Sequence, residues 1–177
     1  SDKSEAARYA RAIASMQSSD LSGTLTEIDS LLDEFPENPY YWELKGQALF
    51  EMGKAAESVE PHAKSLEYLP GHPLLLINYG RSLIARDNEG DLEAGEEALR
   101  DALIKEPDNA FAWNQLAIAL EKQDSGDKFY VSKLATARFY FAKLLPETAA
   151  EIRKARAGRD PSVMACRWGW LFFAGTA

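Results

Sequence analysis

The sequence describes a chain of 177 residues and 19.7 kDa, with 46% hydrophobic and 27% charged residues, a composition that excludes disorder as its default state. Asp and Glu outnumber Lys and Arg by 28 to 20, and a net charge of −8 argues against non-specific binding to nucleic acid or anionic lipid. No apolar run approaches the roughly 20 residues that a membrane-spanning helix needs. We therefore expect no nucleic-acid partner and no membrane span.

Apolar residues at helical spacing, separated by Gly, Pro, Ser and Asp, predict a succession of helices along the chain. Pro61 falls inside the fourth and is expected to kink it or weaken its first turns. Two inter-helix turns, 87–91 and 123–127, carry extra residues, which cost little in solvent. The predicted helices span 5–17, 21–34, 39–52, 55–68, 73–86, 92–105, 110–122, 129–144 and 147–157.

Prolines recur at a nearly constant interval and indicate an internal repeat. Pro36 and Pro70 are 34 residues apart, Pro107 follows after 37 residues and Pro146 after 39. The first three close an apolar helical stretch. A period of 34 residues that ends in proline is typical of the tetratricopeptide repeat (TPR), a helix-turn-helix unit.

The repeat has a common internal register when its closing proline is numbered position 32. Position 4 is bulky and holds Trp42, Leu76 and Trp113, which we expect to fill the gaps between units. Three unrelated amphipathic hairpins would not share such a register. Position 8 is small, so that the two helices of a unit can approach closely; it holds Ala12, Gly46, Gly80 and Ala117.

The predicted fold is therefore all-α: a TPR-like right-handed α-solenoid of about four helix-turn-helix repeats. We place the array at residues 1–160, with units at about 5–38, 39–72, 73–109 and 110–157. Residues 161–177 break the pattern and include the aromatic run 168–173. This segment is interpreted as a cap on the open end of the array, as a segment that docks in a groove of its own or a neighbouring molecule, or as a non-native tail.

The sequence contains no recognisable catalytic motif. It has two histidines, His62 and His72, and neither begins an H-E-x-x-H motif; G-x-S-x-G and the Walker loop are also absent. The single cysteine, Cys166, has no neighbouring histidine and is interpreted as a structural thiol. We therefore expect a non-catalytic chain without a metal ion or cofactor.

Binding is the remaining class of function, and the repeat register predicts where it occurs. Positions 2, 5, 9 and 12 of each first helix face the concave surface of a TPR array, and here most of them are apolar or aromatic. Such a groove either receives an apolar peptide or helix or is filled from within the same protein; alternatively, tight curvature makes several of these residues part of the core. The candidate groove residues are Tyr9, Ile13, Tyr40, Glu43, Gln47, Phe50, Leu74, Ile77, Arg81, Phe111, Asn114 and Ile118.

Charged groups narrow the choice of partner. TPR adaptors that bind chaperone tails clamp a terminal carboxylate with Lys, Asn and Arg, and only Asn78 and Arg81 could play such a role here. Glu43 and Phe111 occupy positions where cations are needed, which argues against such an adaptor. Glu43 and Glu121 instead predict that the rim of the groove is acidic. Such a groove suits a partner segment that is apolar, aromatic or basic and aromatic.

Three stretches of sequence resemble the C-terminal TPR domain of BepA-like bacterial zinc metalloproteases. They are RYARAIA at 8–14, YYWELKGQAL at 40–49 and DNAFAWNQLAIA at 108–119, and the likeness extends over about 5–157. The resemblance implies a periplasmic repeat domain that packs against an H-E-x-x-H protease domain and takes part in quality control of outer-membrane proteins. Outer-membrane proteins or their assembly machinery are then the implied partners.

This chain departs from the family in two respects. The protease half is absent, so no catalytic residue can be carried over, and the segment from Pro161 onward does not match. The alternative function is a free-standing TPR adaptor or assembly scaffold, and the alternative location is the cytoplasm. An H-E-x-x-H motif upstream in the gene distinguishes the two.

Overall fold

A computed structural model describes residues 4–123, 128–148 and 150 of the chain. Within these ranges the chain is helical and contains no strand. None of the helices found there is both long and apolar enough to cross a membrane. The helices are α1 (Glu5–Gln17), α2 (Leu21–Glu34), α3 (Pro39–Glu51), α4 (Ala55–Tyr68), α5 (Pro73–Arg86), α6 (Asp91–Lys105), α7 (Ala110–Lys122) and α8 (Lys128–Leu144).

The observed helix ends lie within one residue of the predicted ones, because local signals set them. The side chains of Asn38 and Asn109 cap the N-termini of α3 and α7 by accepting backbone N–H bonds. Ser19 and Gly53 adopt the left-handed conformation in the inter-helix turns, with φ of 63° and 77°. Helix α4 continues through Pro61, whose ring is buried. Most of the predicted ninth helix, and all of 161–177, lie outside the described residues.

The helices pair into four antiparallel hairpins, α1/α2, α3/α4, α5/α6 and α7/α8, and each hairpin packs against the next. The first helices also contact one another: α3 contacts α5, and α5 contacts α7. Contacts between successive second helices are at most marginal. The array therefore curves with its first helices on the inner, concave side, which confirms the predicted solenoid.

Small residues allow the helices of a hairpin to approach closely, as the register predicts. A Cβ atom added to Gly80 would lie 3.0 Å from the backbone oxygen of Gly95 on the facing helix. A Cβ on Gly46 would lie 2.4 Å from Cδ2 of the His62 ring. Ala12 and Ala117 occupy the equivalent positions in the outer hairpins and are also buried.

The core forms mainly two clusters along the array, as expected when each repeat contacts only its neighbours. The first lies between α1, α2 and the start of α3, and the second joins α5, α6, α7 and α8. The most deeply buried large apolar side chains of the two are Ile28, Leu31, Ile77, Leu99, Leu116 and Leu120.

The two tryptophans at position 4 are half-buried, and both fix the turn that precedes their helix. Trp42 Nε1 donates a hydrogen bond to the carbonyl oxygen of Pro36 at 2.6 Å, and Trp113 Nε1 donates one to Pro107 at 2.8 Å. The Trp113 ring also stacks on Tyr140, with centroids 4.7 Å apart. The bulky residue and the closing proline of the repeat are thus linked directly.

Replacing Trp113 with phenylalanine is expected to destabilise the fold by about 1 kcal/mol. The ring stack on Tyr140 is kept, but the hydrogen bond to the Pro107 carbonyl is lost. Urea unfolding followed by circular dichroism measures the change. An unchanged midpoint would show that this bond contributes nothing to the turn.

Candidate functional site

The concave surface is built by α1, α3, α5 and α7, and the candidate groove residues lie on it at different depths. Tyr40 and Leu74 are the most exposed, at 44% and 47%, and they occupy the first turns of neighbouring helices. The half-buried members are Tyr9, Ile13, Phe50, Arg81, Phe111 and Ile118, and the buried ones are Glu43, Gln47, Ile77 and Asn114.

Two aromatic groove residues, on the first helices before and after α5, contact the guanidinium group of a third groove residue on α5. Arg81 of α5 lies over the Phe50 ring of α3, 3.8 Å from its centroid, and 5.8 Å from the Phe111 ring of α7. Its Nη2 donates to Oε1 of Glu51 at 2.7 Å, and both side chains are largely buried. The aromatic rings and the Glu51 carboxylate therefore fix the arginine in one place.

A carboxyl group is buried beside this cluster. Glu43 of α3 is 8% exposed, and its Oε1 accepts a hydrogen bond from Asn78 Nδ2 of α5 at 2.8 Å. Burial raises the pKa of Glu43 to about 7, against the opposing effects of the Asn78 bond and of the Arg81 charge. Glu43 is thus inside the groove wall, not on an acidic rim as the sequence suggested.

Two further side chains border Glu43. Gln47, one helical turn farther along α3, is 8% exposed, and its buried Oε1 has no hydrogen-bond partner within the described residues. Tyr9 of α1 contacts the Tyr41 ring, with centroids 5.0 Å apart. Burial, with a smaller contribution from Glu43, raises the pKa of Tyr9 to about 12. The Asn78 amide thus bonds the Glu43 carboxyl, Tyr9 and Arg81 interact with it electrostatically, and Gln47 follows one turn later on the same helix.

Other predicted groove residues support the fold. Ile77 is 1% exposed and belongs to the core cluster of the C-terminal half, against which Ile118 also packs. Ile13 packs against the N-terminal cluster. Glu121 forms an ion pair with Arg138 of α8 at 2.8 Å. Among the candidate groove residues, the exposed apolar surface is therefore centred on Tyr40 of α3 and Leu74 of α5.

A buried histidine lies behind this surface, and the sequence analysis did not assign it a role. His62 of α4 is 2% exposed; its Nδ1 is 2.8 Å from Ser82 Oγ of α5, which also bonds Ser58 Oγ at 2.9 Å. Burial, together with the charge of Arg81, lowers the pKa of His62 to about 3. A neutral imidazole therefore joins α4 to α5 and fills the space that Gly46 leaves.

The register contains a signal that could have identified this residue. His62 lies four residues after the small Ser58, just as Ile28 follows Thr24 and Leu99 follows Gly95. Ile28 and Leu99 are both 0% exposed. A histidine at an otherwise apolar core position is predicted to be buried and hydrogen-bonded.

The groups that could clamp a terminal carboxylate are already engaged. Arg81 pairs with Glu51, and Asn78 donates to Glu43. Across the described residues, no group of three or more His, Cys, Asp or Glu side chains is placed to hold a metal ion. What the surface offers a ligand is exposed apolar area beside one buried carboxyl group.

Comparison with known proteins supports the fold and leaves the family open. Residues 109–167, about a third of the chain, match the family described as acetyl-CoA dehydrogenase C-terminal like. No curated protein matches the chain. Among solved structures, the crystal structure of MamA protein, a TPR-like all-helical protein, aligns with a TM-score of 0.69 and 15% identity, over 80% of this chain and 73% of that chain. The chain is therefore a TPR-like α-solenoid.

Proposed function

We propose that this chain is a non-catalytic protein-interaction domain whose concave surface binds an apolar segment of a partner protein. The observation that carries the proposal is the pair of exposed apolar side chains at equivalent repeat positions, Tyr40 and Leu74. Water penalises such surface by about 25 cal/mol per Å². Both residues lie on the inner face of a solenoid, a concave surface that such folds use for binding.

A narrower proposal concerns the protein to which the domain belongs. The resemblance of 8–14, 40–49 and 108–119 to BepA-like proteases supports a repeat domain of a periplasmic zinc metalloprotease that acts on outer-membrane proteins. The alternative is a free-standing adaptor or scaffold, periplasmic or cytoplasmic. Reading the full gene separates them: an upstream H-E-x-x-H motif favours the first, and a gene that encodes only repeats favours the second.

Substitution of the two exposed groove residues tests the broader proposal. Peptides are selected from a random phage-displayed library on the wild-type chain and then titrated against the double variant Tyr40→Asp/Leu74→Asp. We expect affinity to fall by about tenfold or more, because two carboxylates replace the apolar contact surface. Both residues are more than 40% exposed, so the variant should fold.

Tyr68→Asp is the matched control, because Tyr68 is 39% exposed but lies on the second helix α4. This variant should bind the selected peptides as the wild type does. Circular dichroism and unfolding midpoints verify that both variants are folded. If the folded double variant keeps wild-type affinity, or if the library yields no binder, the concave surface is not a peptide site.

A further inference from the structure

The inner face of the array contains a buried acid that forms no ion pair with a cation of the described residues. Glu43 makes no ion pair with any residue in the described part of the chain, and its hydrogen bond comes from the neutral Asn78 amide. Burying an acid without a cation is unfavourable when the acid is ionised. Arg81 acts on Glu43 only through its charge, which partly opposes the rise in the Glu43 pKa, because its Nη2 donates to Glu51.

Other residues near Glu43 also suit the binding of a cationic side chain from a partner protein. Gln47 lies four residues later on the same face of α3, and its Oε1 is buried without a hydrogen-bond partner among the described residues. Tyr40, three residues before Glu43, presents an exposed ring. Leu74 lies four residues before Asn78. Two oxygen acceptors are thus flanked by exposed apolar groups.

The other polar groups around Glu43 compensate its charge only in part. From α1, Tyr9 has a pKa raised to about 12 and stays neutral; from α4, His62 has a pKa lowered to about 3 and stays neutral. From α5, the charge of Arg81 lowers the pKa of Glu43, but the effect of burial is larger, and Arg81 itself is held by Glu51 and the Phe50 ring.

We propose that the partner segment carries a basic side chain, which enters between Tyr40 and Leu74 and pairs with the carboxylate of Glu43. A guanidinium suits the site better than an ammonium, because its planar donors can bond Glu43 and Gln47 and its face can stack on the Tyr40 ring. The occupant is thus a protein segment with one arginine or lysine flanked by apolar residues. This inference rests on the proposed function and specifies the partner.

Pairing of a cation with Glu43 should make the affinity for the partner segment depend on pH. A cation binds the ionised form of Glu43, whose pKa is raised to about 7 in the free chain. Binding should therefore release a proton below that pH and become weaker as the pH falls. Between pH 8 and pH 6 the ionised fraction falls by about tenfold, and so should the affinity. Tyr9 and His62 do not titrate in this range, and His72, whose ring centroid lies 6.4 Å from that of Tyr40, is equally present in Glu43→Gln, which serves as the control.

The first experiment selects random phage-displayed peptides in parallel on the wild-type chain and on Glu43→Gln, which keeps the shape and the bond to Asn78. On the wild type we expect enrichment of arginine or lysine between apolar residues. On Glu43→Gln the apolar preference should remain and the basic preference should disappear. Apolar peptides without a basic preference on the wild type would overturn this inference and leave the proposed function standing. A library without binders would overturn both.

The second experiment measures the affinity of one selected basic peptide at pH 6 and pH 8 by calorimetry. The wild type should bind about tenfold more tightly at pH 8, with proton release near neutral pH. Glu43→Gln should show neither effect, and neither should a peptide whose basic residue is replaced by glutamine. The same pH dependence in Glu43→Gln, or none in the wild type, would contradict the proposed pairing.

Discussion

Replacing Gly46 with alanine is expected to destabilise the fold by about 3 kcal/mol, although the same change at an exposed helix position is stabilising by about 1 kcal/mol. The new Cβ would lie 2.4 Å from Cδ2 and 2.5 Å from Nε2 of His62. That ring is 2% exposed and is held by Ser82, so it cannot move aside without breaking their hydrogen bond.

A second substitution shows whether the histidine ring causes the loss. His62→Ala is destabilising in its own right because it removes a buried side chain, but it also empties the space next to Gly46. In that background Gly46→Ala should be neutral or stabilising by up to about 1 kcal/mol. Urea unfolding of the wild type, both single variants and the double variant measures the coupling. Equal costs of Gly46→Ala in both backgrounds would mean that the ring is not the obstacle.

The fold could be predicted because its determinants are local and repeated. Closing prolines, small residues at position 8 and capping asparagines such as Asn38 specify each hairpin within a short stretch of chain. Each hairpin packs only against the hairpins next to it in the sequence, so that no long-range pairing has to be predicted. Pro61 does not alter this result, since the sequence predicts a helix over 55–68 that contains it and α4 spans the same residues.

The candidate site was predictable only in part, because its chemistry depends on contacts between repeats. The register correctly places Phe50, Arg81 and Phe111 on one face, and the structure brings them together. It does not specify that Arg81 pairs with Glu51 instead of Glu43, since that choice depends on distances between side chains of α3 and α5. Nor does it distinguish the buried Ile77 from the exposed Leu74, which lies only three residues away.

The stability of the chain should depend on pH through two buried groups that act in opposite directions. The folded pKa of Glu43 is raised to about 7, so its burial is unfavourable at high pH, and this cost disappears as the pH falls towards the unfolded value near 4.5. The folded pKa of His62 is lowered to about 3. The stabilisation that the folded chain gains from a neutral His62 is therefore complete above about pH 6.5 and is lost as the pH falls towards 3.

Between about pH 4.5 and 6.5 the two effects should nearly cancel in the wild type. In this window the folded state binds a proton at Glu43 that the unfolded state does not bind. The unfolded state binds one at His62 that the folded state does not bind. Because the slope of stability with pH follows the difference in bound protons, these two groups contribute no net slope there. Below about pH 4.5 only the His62 effect remains.

Glu43→Gln should therefore stabilise the chain by at most about 3 kcal/mol at pH 8, because a neutral amide replaces a buried charge. The gain should shrink as the pH falls and vanish below about pH 4.5, where Glu43 becomes protonated in both states. His62→Leu, which introduces the residue type that Leu99 supplies in the next repeat, should instead remove the acid-induced loss due to His62. Urea unfolding of the three chains from pH 4 to pH 8 tests both effects, and comparing variants cancels the contributions of other carboxylates. A Glu43→Gln gain that is equal at pH 5 and pH 8 would show that Glu43 is not a buried acid with a raised pKa.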